Sequence, residues 1–229
     1  MAESNIFDPS FEELPAILPV FPLAGLLLLP GNPLPLNIFE PRYLAMVKAS
    51  LAYPRLIGLI QPCSSKRASN TRIFAAGEEH LYMVGCAGRI TNFAETDDGR
   101  YLITVRGLCR FQIIQEQSPQ NGYRLMKVDF LPYKRDLTKS AEVIRTEEVE
   151  GLFQALKPYF KHHKVTADWD LLRKAEIEKL VNSLSTLGDF EESEKQALLE
   201  TATIRERLHL LKCLMEIACF PKNFSRGKN

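Results

Sequence analysis

The stretch LPVFPLAGLLLLPGNPLPLNIFEPRY, from Leu18 to Tyr43, decides how the chain begins to fold. It is too apolar for a linker. Prolines at positions 19, 22, 30, 33 and 35 exclude a continuous helix, because each lacks a backbone N–H and biases the preceding residue toward extended geometry. Proline is tolerated at sheet edges and strand starts, so the stretch predicts β-structure with irregular joints. The predicted strands are Leu18–Phe21, Leu26–Leu29 and Leu34–Asn37.

A helix and then a series of strands follow this stretch. Pro41 suits the first turn of a helix predicted over Glu40–Ala52, and a buried strand is predicted over Arg55–Gln61. An antiparallel meander comes next, with Asp97-Asp98-Gly99 as a hairpin turn. Its predicted strands are Leu81–Glu95, Tyr101–Gly107, Cys109–Gln117 and Tyr123–Tyr133. We expect this sheet to close into a barrel or compact sandwich, because open edges this apolar would aggregate.

The second half of the chain has the apolar periodicity of helices. A break is expected near Glu200–Thr203, where Thr203 and Glu206 form a capping box. The predicted helical segments are Ser140–Lys161, Trp169–Leu184 and Phe190–Phe220. The sequence therefore predicts an α+β chain with two parts, a β-domain over residues 14–135 and a helical bundle over residues 139–220.

Composition limits the class of protein. The 229 residues are 45% hydrophobic and 25% charged with a formal net charge of +1, which is typical of a globular chain and lacks the positive field of a general nucleic-acid binder. Five cysteines without a C-x-x-C pair predict a reduced, cytoplasmic chain. The acidic N-terminus argues against a signal peptide, and no apolar run is long enough to predict a transmembrane helix.

Residues that could carry catalysis form no recognisable constellation. His162 and His163 are adjacent, so on a helix they point about 100° apart and do not easily share a metal. Cys86 and Cys109 lie in predicted strands, where a buried thiol is the expected state. The phosphate-binding pattern G-x-x-x-x-G-K-S/T does not occur. We therefore predict no catalytic, cofactor-binding or metal-binding residues, and no cofactor.

Two blocks of the sequence resemble the Lon N-terminal domain, the substrate-recognition domain at the front of ATP-dependent Lon proteases. The first block is the opening stretch, with Leu18-Pro19, Phe21-Pro22, Pro30-Gly31 and Ile38–Tyr43. The second is GCAGRITNFAETDDGRYLITVRGLCRF, from Gly85 to Phe111. The resemblance covers roughly Leu14 to Phe220. It implies a PUA-like β-barrel, of the pseudouridine-synthase and archaeosine-transglycosylase type, followed by a helical bundle.

The resemblance also implies a function. A full Lon protease carries an ATPase module and a Ser-Lys protease module after this domain, and the given sequence holds neither, so we expect a non-enzyme. The implied function is a protein- or peptide-binding module that acts as an adaptor or regulator of proteolysis. Its expected partners are unfolded or exposed peptide segments of client proteins, with an ATP-dependent protease as a further candidate. No membrane partner is expected, and nucleic acid is disfavoured.

Two alternative functions stay open. One is an RNA-binding PUA-like protein, in which Arg89, Arg106 and Arg110 on neighbouring strands would form a basic stripe; the fold alone does not establish such a site. The other is a peptidase, which would need a nucleophile and a base within hydrogen-bond reach of each other.

The candidate binding residues come from the two family blocks. Glu40 and Arg42 have two interpretations: they support the helix start and form ion pairs, or they form the polar edge of a binding groove. We expect an apolar groove or a free strand edge to receive the peptide. The candidates are Phe21, Pro22, Ile38, Phe39, Glu40, Arg42, Tyr43, Arg89 and Arg110.

Overall fold

The computed structural model describes residues 6–52, 54–63, 71–72, 80–138 and 142–220. The strands are β1 (Ile17–Pro22), β2 (Pro33–Ile38), β3 (Leu56–Ile60), β4 (Thr71–Arg72), β5 (Leu81–Tyr82), β6 (Val84–Glu95), β7 (Tyr101–Gln120) and β8 (Tyr123–Asp129). The α-helices are α1 (Pro41–Ser50), α2 (Thr146–His162), α3 (Trp169–Lys174), α4 (Ile177–Leu187), α5 (Glu192–Glu200) and α6 (Ile204–Ala218). Phe11–Glu13 and Leu131–Leu137 form 3-10 helices.

Six of the strands form one sheet in the order β2-β7-β6-β3-β1-β8. β7 also pairs with β8, so β7, β6, β3, β1 and β8 make a closed cycle of hydrogen-bonded neighbours. β1 and β3 run parallel, and the other pairs of this sheet are antiparallel. The predicted combination of sheet and helices is confirmed. The barrel stays a prediction, which the cycle of pairings supports.

Phe111 lies at the centre of the core that this sheet encloses. Its ring meets that of Phe130 edge-on, with 6.1 Å between the ring centroids. On the neighbouring strand, a Cβ at Gly85 would lie 2.5 Å from Phe111 Cζ, so only glycine fits there. Buried neighbours in the same cluster include Leu18, Val20, Leu56, Ile113, Met126 and Val128. This close packing fixes β6 against β7, the two strands that carry the second family block.

The opening stretch forms two of its three predicted strands, as β1 and β2. The strand predicted over Leu26–Leu29 is wrong, because this segment runs as irregular chain between Gly25 and Gly31, both with positive φ. Three of the four leucines are nevertheless buried. The segment lies so close to β7 that a Cβ at Gly107 would be 2.2 Å from the Leu29 carbonyl oxygen. The apolar run Leu26–Leu29 therefore indicated a buried segment and did not indicate a paired strand.

The predicted meander also differs from the structure at three places. The strand predicted over Leu81–Glu95 is interrupted at Met83, so that β5 pairs with β4 and β6 belongs to the main sheet. β7 is one strand where two were predicted, because the chain passes through Leu108 with only a local shift in its register against β6. The strand predicted to reach Tyr133 ends at Asp129. There the Leu131 N–H donates to Asp129 Oδ1 at 2.8 Å, and Pro132 has no N–H to continue a ladder. The chain coils into the 3-10 helix Leu131–Leu137 instead.

The helical half keeps its predicted pattern with two changes. The segment predicted over Trp169–Leu184 is two helices, because Ala175 and Glu176 have extended backbone between α3 and α4. The helix predicted from Ser140 begins at Thr146, and residues 139–141 lie outside the described residues. The break before α6 is confirmed: Thr203 Oγ1 accepts the Glu206 N–H at 3.2 Å.

The chain divides into two compact units. The first comprises the described residues up to 138 together with Glu191–Leu199, most of α5. In this unit Gln196 Nε2 donates to the Val84 carbonyl at 3.0 Å, and Lys195 Nζ donates to the Gly25 carbonyl at 2.7 Å. Residues 191–199, which the sequence placed in the helical bundle, thus pack on the sheet. The exact domain boundaries stay a prediction.

The second unit contains α2, α3, α4 and α6. Buried leucines come from α2, α4 and α6, and the ring of Trp169 in α3 packs near Phe160 of α2, with 5.7 Å between ring centroids. Arg207 on α6 donates to Asn182 Oδ1 on α4 at 2.8 Å, and both residues are buried. The Tyr159 hydroxyl accepts the Asp189 N–H at 2.9 Å. Among the described residues of either unit, none of the helices combines the length and the hydropathy needed to cross a bilayer.

Candidate functional site

The IFEPRY block connects β2 to α1, and two of its candidates, Ile38 and Tyr43, pack inward together with two candidates of β1. Ile38 is fully buried at the end of β2. Tyr43, in the first turn of α1, meets Phe21 of β1 with 4.1 Å between ring centroids, and both rings are buried. Pro22, at the end of β1, is half-buried. These candidates therefore hold the helix on the sheet and offer little surface to a partner.

Glu40 and Arg42 pair with each other at the start of α1. Arg42 Nη2 lies 2.9 Å from Glu40 Oε2, both side chains are about half exposed, and the guanidinium stands 4.6 Å from the Tyr43 ring centroid. The Glu40 carbonyl accepts the N–H groups of Tyr43 and Leu44, which starts the helix. An exposed pair of this kind contributes about 0–1 kcal/mol. This geometry agrees with the structural interpretation of the two residues.

Phe39 is the most exposed aromatic of the block. Its side chain is 62% exposed between buried Ile38 and the helix start. The Arg100 guanidinium, from the β6–β7 hairpin, lies 6.0 Å from the ring centroid. A large apolar ring kept at the surface is available for contact with a partner.

The three arginines of the proposed basic stripe are each paired with a carboxylate. Arg89 Nε donates to Asp8 Oδ1 at 3.0 Å, and Arg106 donates to both oxygens of the same carboxylate. Arg110 forms a two-pronged pair with Asp136, with 2.8 Å for each hydrogen bond. Charges neutralised and buried in this way do not form a phosphate-binding stripe. RNA binding is therefore not favoured.

The Arg110–Asp136 pair is a buried structural junction. Arg110 Nη1 also donates to the Leu199 carbonyl at 2.9 Å, and the guanidinium stands 4.7 Å from the Tyr133 ring centroid. Burial alone would lower the pKa of Arg110, but its hydrogen bonds to Asp136 and the charge of that carboxylate raise the pKa. Arg110 therefore stays charged, and it ties β7 to the 3-10 helix and to α5.

The strand thiols are poorly suited to nucleophilic chemistry. Burial, reinforced by the Asp136 carboxylate, raises the pKa of Cys86 well above its ordinary value and raises that of Cys109 to about 12. The thiolate is the reactive form, so neither sulfur is activated near neutral pH. Within the described residues, no three His, Cys, Asp or Glu side chains cluster in a way that could hold a metal ion.

Exposed apolar residues that were absent from the sequence candidates lie where β2, β7 and β6 run side by side. Phe93 is 42% exposed and Leu102 is 46% exposed. The Phe93 ring meets Tyr101 edge-on at 5.0 Å between centroids. An open groove of about 800 Å3 lies along these strands, lined by residues 35–37, 91–94 and 102–104. We take these strand segments, the β2–β7–β6 platform, as the candidate site; Phe93 lies across from Ile103 and Leu102 lies across from Ala94, so these two exposed side chains are on opposite faces of the sheet.

The sequence contained a weak signal for this platform. Residues 91–95 read TNFAE, and all five are exposed, although they continue a strand whose first seven residues are all buried. The polar residues around Phe93 indicate that the strand leaves the core there. Nothing in the sequence, however, shows which strands end beside it.

The comparisons with known proteins identify the family. The chain matches the ATP-dependent protease La (LON) substrate-binding domain over residues 17–216. A match over most of its length places this chain in a class of substrate-binding domains, and the chain belongs to the Lon substrate-binding domain family. This confirms the resemblance carried by the two sequence blocks.

Curated relatives are Lon proteases of bacteria. The chain is 27% identical over 212 residues to "Lon protease" of Anaeromyxobacter dehalogenans and 29% identical over 212 residues to "Lon protease 2" of Myxococcus xanthus. Each match covers 87% of this chain and 23% of the relative. The chain thus spans about a quarter of the length of the curated relatives that it matches.

Two solved structures share the fold. A Lon N-terminal domain protein from Xanthomonas campestris matches with a TM-score of 0.59 and 22% identity, over 86% of this chain and 97% of that one. The N-terminal domain of the Mycobacterium avium complex Lon protease matches with a TM-score of 0.56 and 18% identity, over 87% and 97%. These matches support the mixed sheet-and-helix architecture described above.

Proposed function

We propose that this chain binds unfolded or exposed segments of client proteins and performs no catalysis itself. The observation that carries the proposal is the family match over residues 17–216 to a substrate-binding domain. The β2–β7–β6 platform supports it, because it carries exposed Phe93 on one face and exposed Leu102 on the other, with exposed Phe39 just beyond β2, and each is apolar surface that an unfolded segment would cover. The protonated thiols of Cys86 and Cys109 support the non-catalytic part.

The proposal extends to partners and location. Client segments are the direct ligands, and an ATP-dependent protease is the partner that would receive them, with this chain as adaptor or regulator. The chain would work in the cytoplasm, where its cysteines stay reduced. We further propose that the five-strand cycle is a small PUA-like barrel over residues 14–135, and that residues 139–220 are the accompanying helical domain.

The candidate list sorts into two groups under this proposal. Phe39 is the family-block residue that would touch a client. The others would position the platform, since they are buried, half-buried or paired within the chain: Phe21, Pro22, Ile38, Glu40, Arg42, Tyr43, Arg89 and Arg110.

Binding is tested by fluorescence anisotropy with labelled, reduced and carboxymethylated α-lactalbumin, a permanently unfolded polypeptide. We expect saturable binding in the micromolar range, and no binding of the native, disulfide-bonded form. The double variant Phe39→Ser and Phe93→Ser should weaken binding roughly tenfold, because each ring loses apolar contact with the client. Leu187→Ser is the matched control, since Leu187 is an exposed apolar residue of the second unit.

Catalysis is tested separately. Incubation of the unfolded polypeptide with the chain, with and without ATP and Mg²⁺, should leave it uncleaved. Cleavage would overturn the non-catalytic part of the proposal. If no binding is detected at chain concentrations up to about 100 μM, the free energy of binding is weaker than ~5.5 kcal/mol and the proposed binding function is wrong.

A further inference from the structure

We infer that the outer edge of β6, from Thr91 to Glu95, receives a client segment as an added antiparallel strand, with an apolar residue opposite Phe93 and a lysine or arginine opposite Glu95. This inference rests on the proposed function and specifies its ligand. We call this segment the β6 edge. Addition of a strand to a sheet edge supplies affinity from backbone hydrogen bonds and specificity from alternate side chains.

The β6 edge becomes free where β6 parts from β3. The Ile90 N–H donates to the Arg55 carbonyl at 2.9 Å, and the first residue of β3, Leu56, pairs with Arg89. A register shift in the β6–β7 ladder follows between Ile90 and Asn92, which makes Thr91 the extra residue of a bulge. Bulges commonly end pairing on one side of a strand. In the described part of the chain, no strand pairs with the outer side of residues 91–95.

The direction of the backbone groups follows from the hairpin that closes β6 and β7. The Thr96 N–H donates to the Arg100 carbonyl at 2.9 Å, so Thr96 faces β7. Backbone groups alternate along a strand, so Ala94 and Asn92 also face β7. The N–H and C=O groups of Phe93 and Glu95 therefore point outward. Together they offer two donors and two acceptors to an incoming strand.

The outer side of β2, which pairs with no other strand among the described residues, is poorly suited to such pairing. The Gly107 N–H donates to the Asn32 carbonyl at 3.0 Å, and alternation from Asn32 turns the even-numbered residues of β2 toward β7. Pro33 and Pro35 face outward, and neither has an N–H. Proline at such positions protects an edge strand from pairing with another chain. Strand addition therefore favours the β6 edge.

The side chains of the β6 edge define which segment fits. Phe93 and Glu95 lie two residues apart and share one face of the strand. Phe93 presents an exposed ring, and Glu95 has no ion-pair partner among the described residues. An apolar side chain opposite the ring and a cation opposite the carboxylate are the stabilising cross-strand pairs. The preferred segment thus has an apolar and a basic residue separated by one position.

The test uses a labelled nine-residue peptide of threonines with one valine and one lysine two positions apart, measured by fluorescence anisotropy. Methylation of the valine and lysine backbone nitrogens should abolish binding, because these N–H groups would face β6. Methylation of the intervening threonine nitrogen should leave the affinity unchanged. Equal affinity for the two methylated peptides would overturn strand addition at this edge.

A charge exchange tests the register. Glu95→Lys should weaken binding of the lysine peptide about two- to thirtyfold and strengthen, by a similar factor, binding of a peptide with glutamate in place of lysine. Glu147→Lys makes the same charge reversal at an exposed glutamate of the second unit; it is the control and should change neither affinity. If Glu95→Lys leaves both affinities unchanged while unfolded α-lactalbumin still binds, the β6 edge is overturned and the proposed function survives. If neither peptide nor unfolded polypeptide binds, the proposed function fails.

Discussion

Replacement of Asp136 by asparagine tests whether Arg110 is a structural residue of the first unit. The side chains of Arg110 and Asp136 are only 6% and 8% exposed, and two hydrogen bonds of 2.8 Å join them. Removal of one partner from a buried pair leaves an uncompensated charge, which costs about 3–5 kcal/mol. The bond from Arg110 to the Leu199 carbonyl is to a neutral acceptor and does not neutralise the guanidinium. Asp136→Asn should therefore destabilise the first unit by that amount.

The measurement is amide hydrogen exchange along β7. The single tryptophan, Trp169, lies in the second unit, so its fluorescence does not report on the sheet. A loss of about 3–5 kcal/mol accelerates exchange by roughly two to three and a half orders of magnitude where global opening controls it. Asp98→Asn makes the same change in an exposed pair with Arg100 and should leave β7 exchange near the wild-type rate. Acceleration below about tenfold in Asp136→Asn would show that the Arg110–Asp136 pair contributes little to the stability of the first unit.

Three further predictions concern the thiols and the second unit. Exposed Cys213 should react with a thiol-specific reagent in the native state, whereas Cys109, whose pKa burial raises to about 12, should react only on unfolding; equal rates would contradict this. The Arg145 N–H donates to the Glu148 carboxylate and lowers the pKa of Glu148 in the folded chain. The ionised carboxylate therefore stabilises the fold above about pH 4.3, the pKa of glutamate in an unfolded chain, and this stabilisation is lost as the pH falls through the lower pKa of the folded state. Glu148→Gln should therefore flatten the fall in melting temperature between about pH 5 and pH 3, and an unchanged fall would count against it. Thr203→Ala removes the α6 cap and should cost about 0.5–2 kcal/mol in urea unfolding followed by tryptophan fluorescence; an unchanged midpoint would contradict the cap.

Local chemistry made much of the fold predictable. Prolines in the opening stretch correctly indicated extended chain and an edge strand, β2, whereas β1 contains Pro19 and Pro22 and still pairs with strands on both sides. The Asp97–Gly99 turn was also predictable, since Gly99 supplies the positive φ that the hairpin needs. The run Leu26–Leu29 misled because hydrophobicity reports burial, and irregular chain can be buried as well as a strand.

The candidate site was hard to predict because it depends on contacts between residues that are distant in the sequence. Arg89 lies on β6, and Arg106 and Arg110 both lie on the neighbouring strand β7, but the carboxylates that neutralise them lie far away in the sequence. Asp8 is 81 and 98 positions from Arg89 and Arg106. Such distances carry no periodic or spacing signal. The β6 edge could not be predicted for the same reason, because whether one side of a strand is unpaired depends on which other strands lie beside it.

The central claim is that the chain binds extended client segments at the β6 edge. Its most direct test is a two-dimensional NMR titration of the isotope-labelled chain with reduced, carboxymethylated α-lactalbumin, in which the exchange of each backbone amide is followed. We expect the amides of Phe93 and Glu95 to become protected from exchange as the client saturates the chain. Saturation without protection anywhere from Thr91 to Glu95 would contradict it.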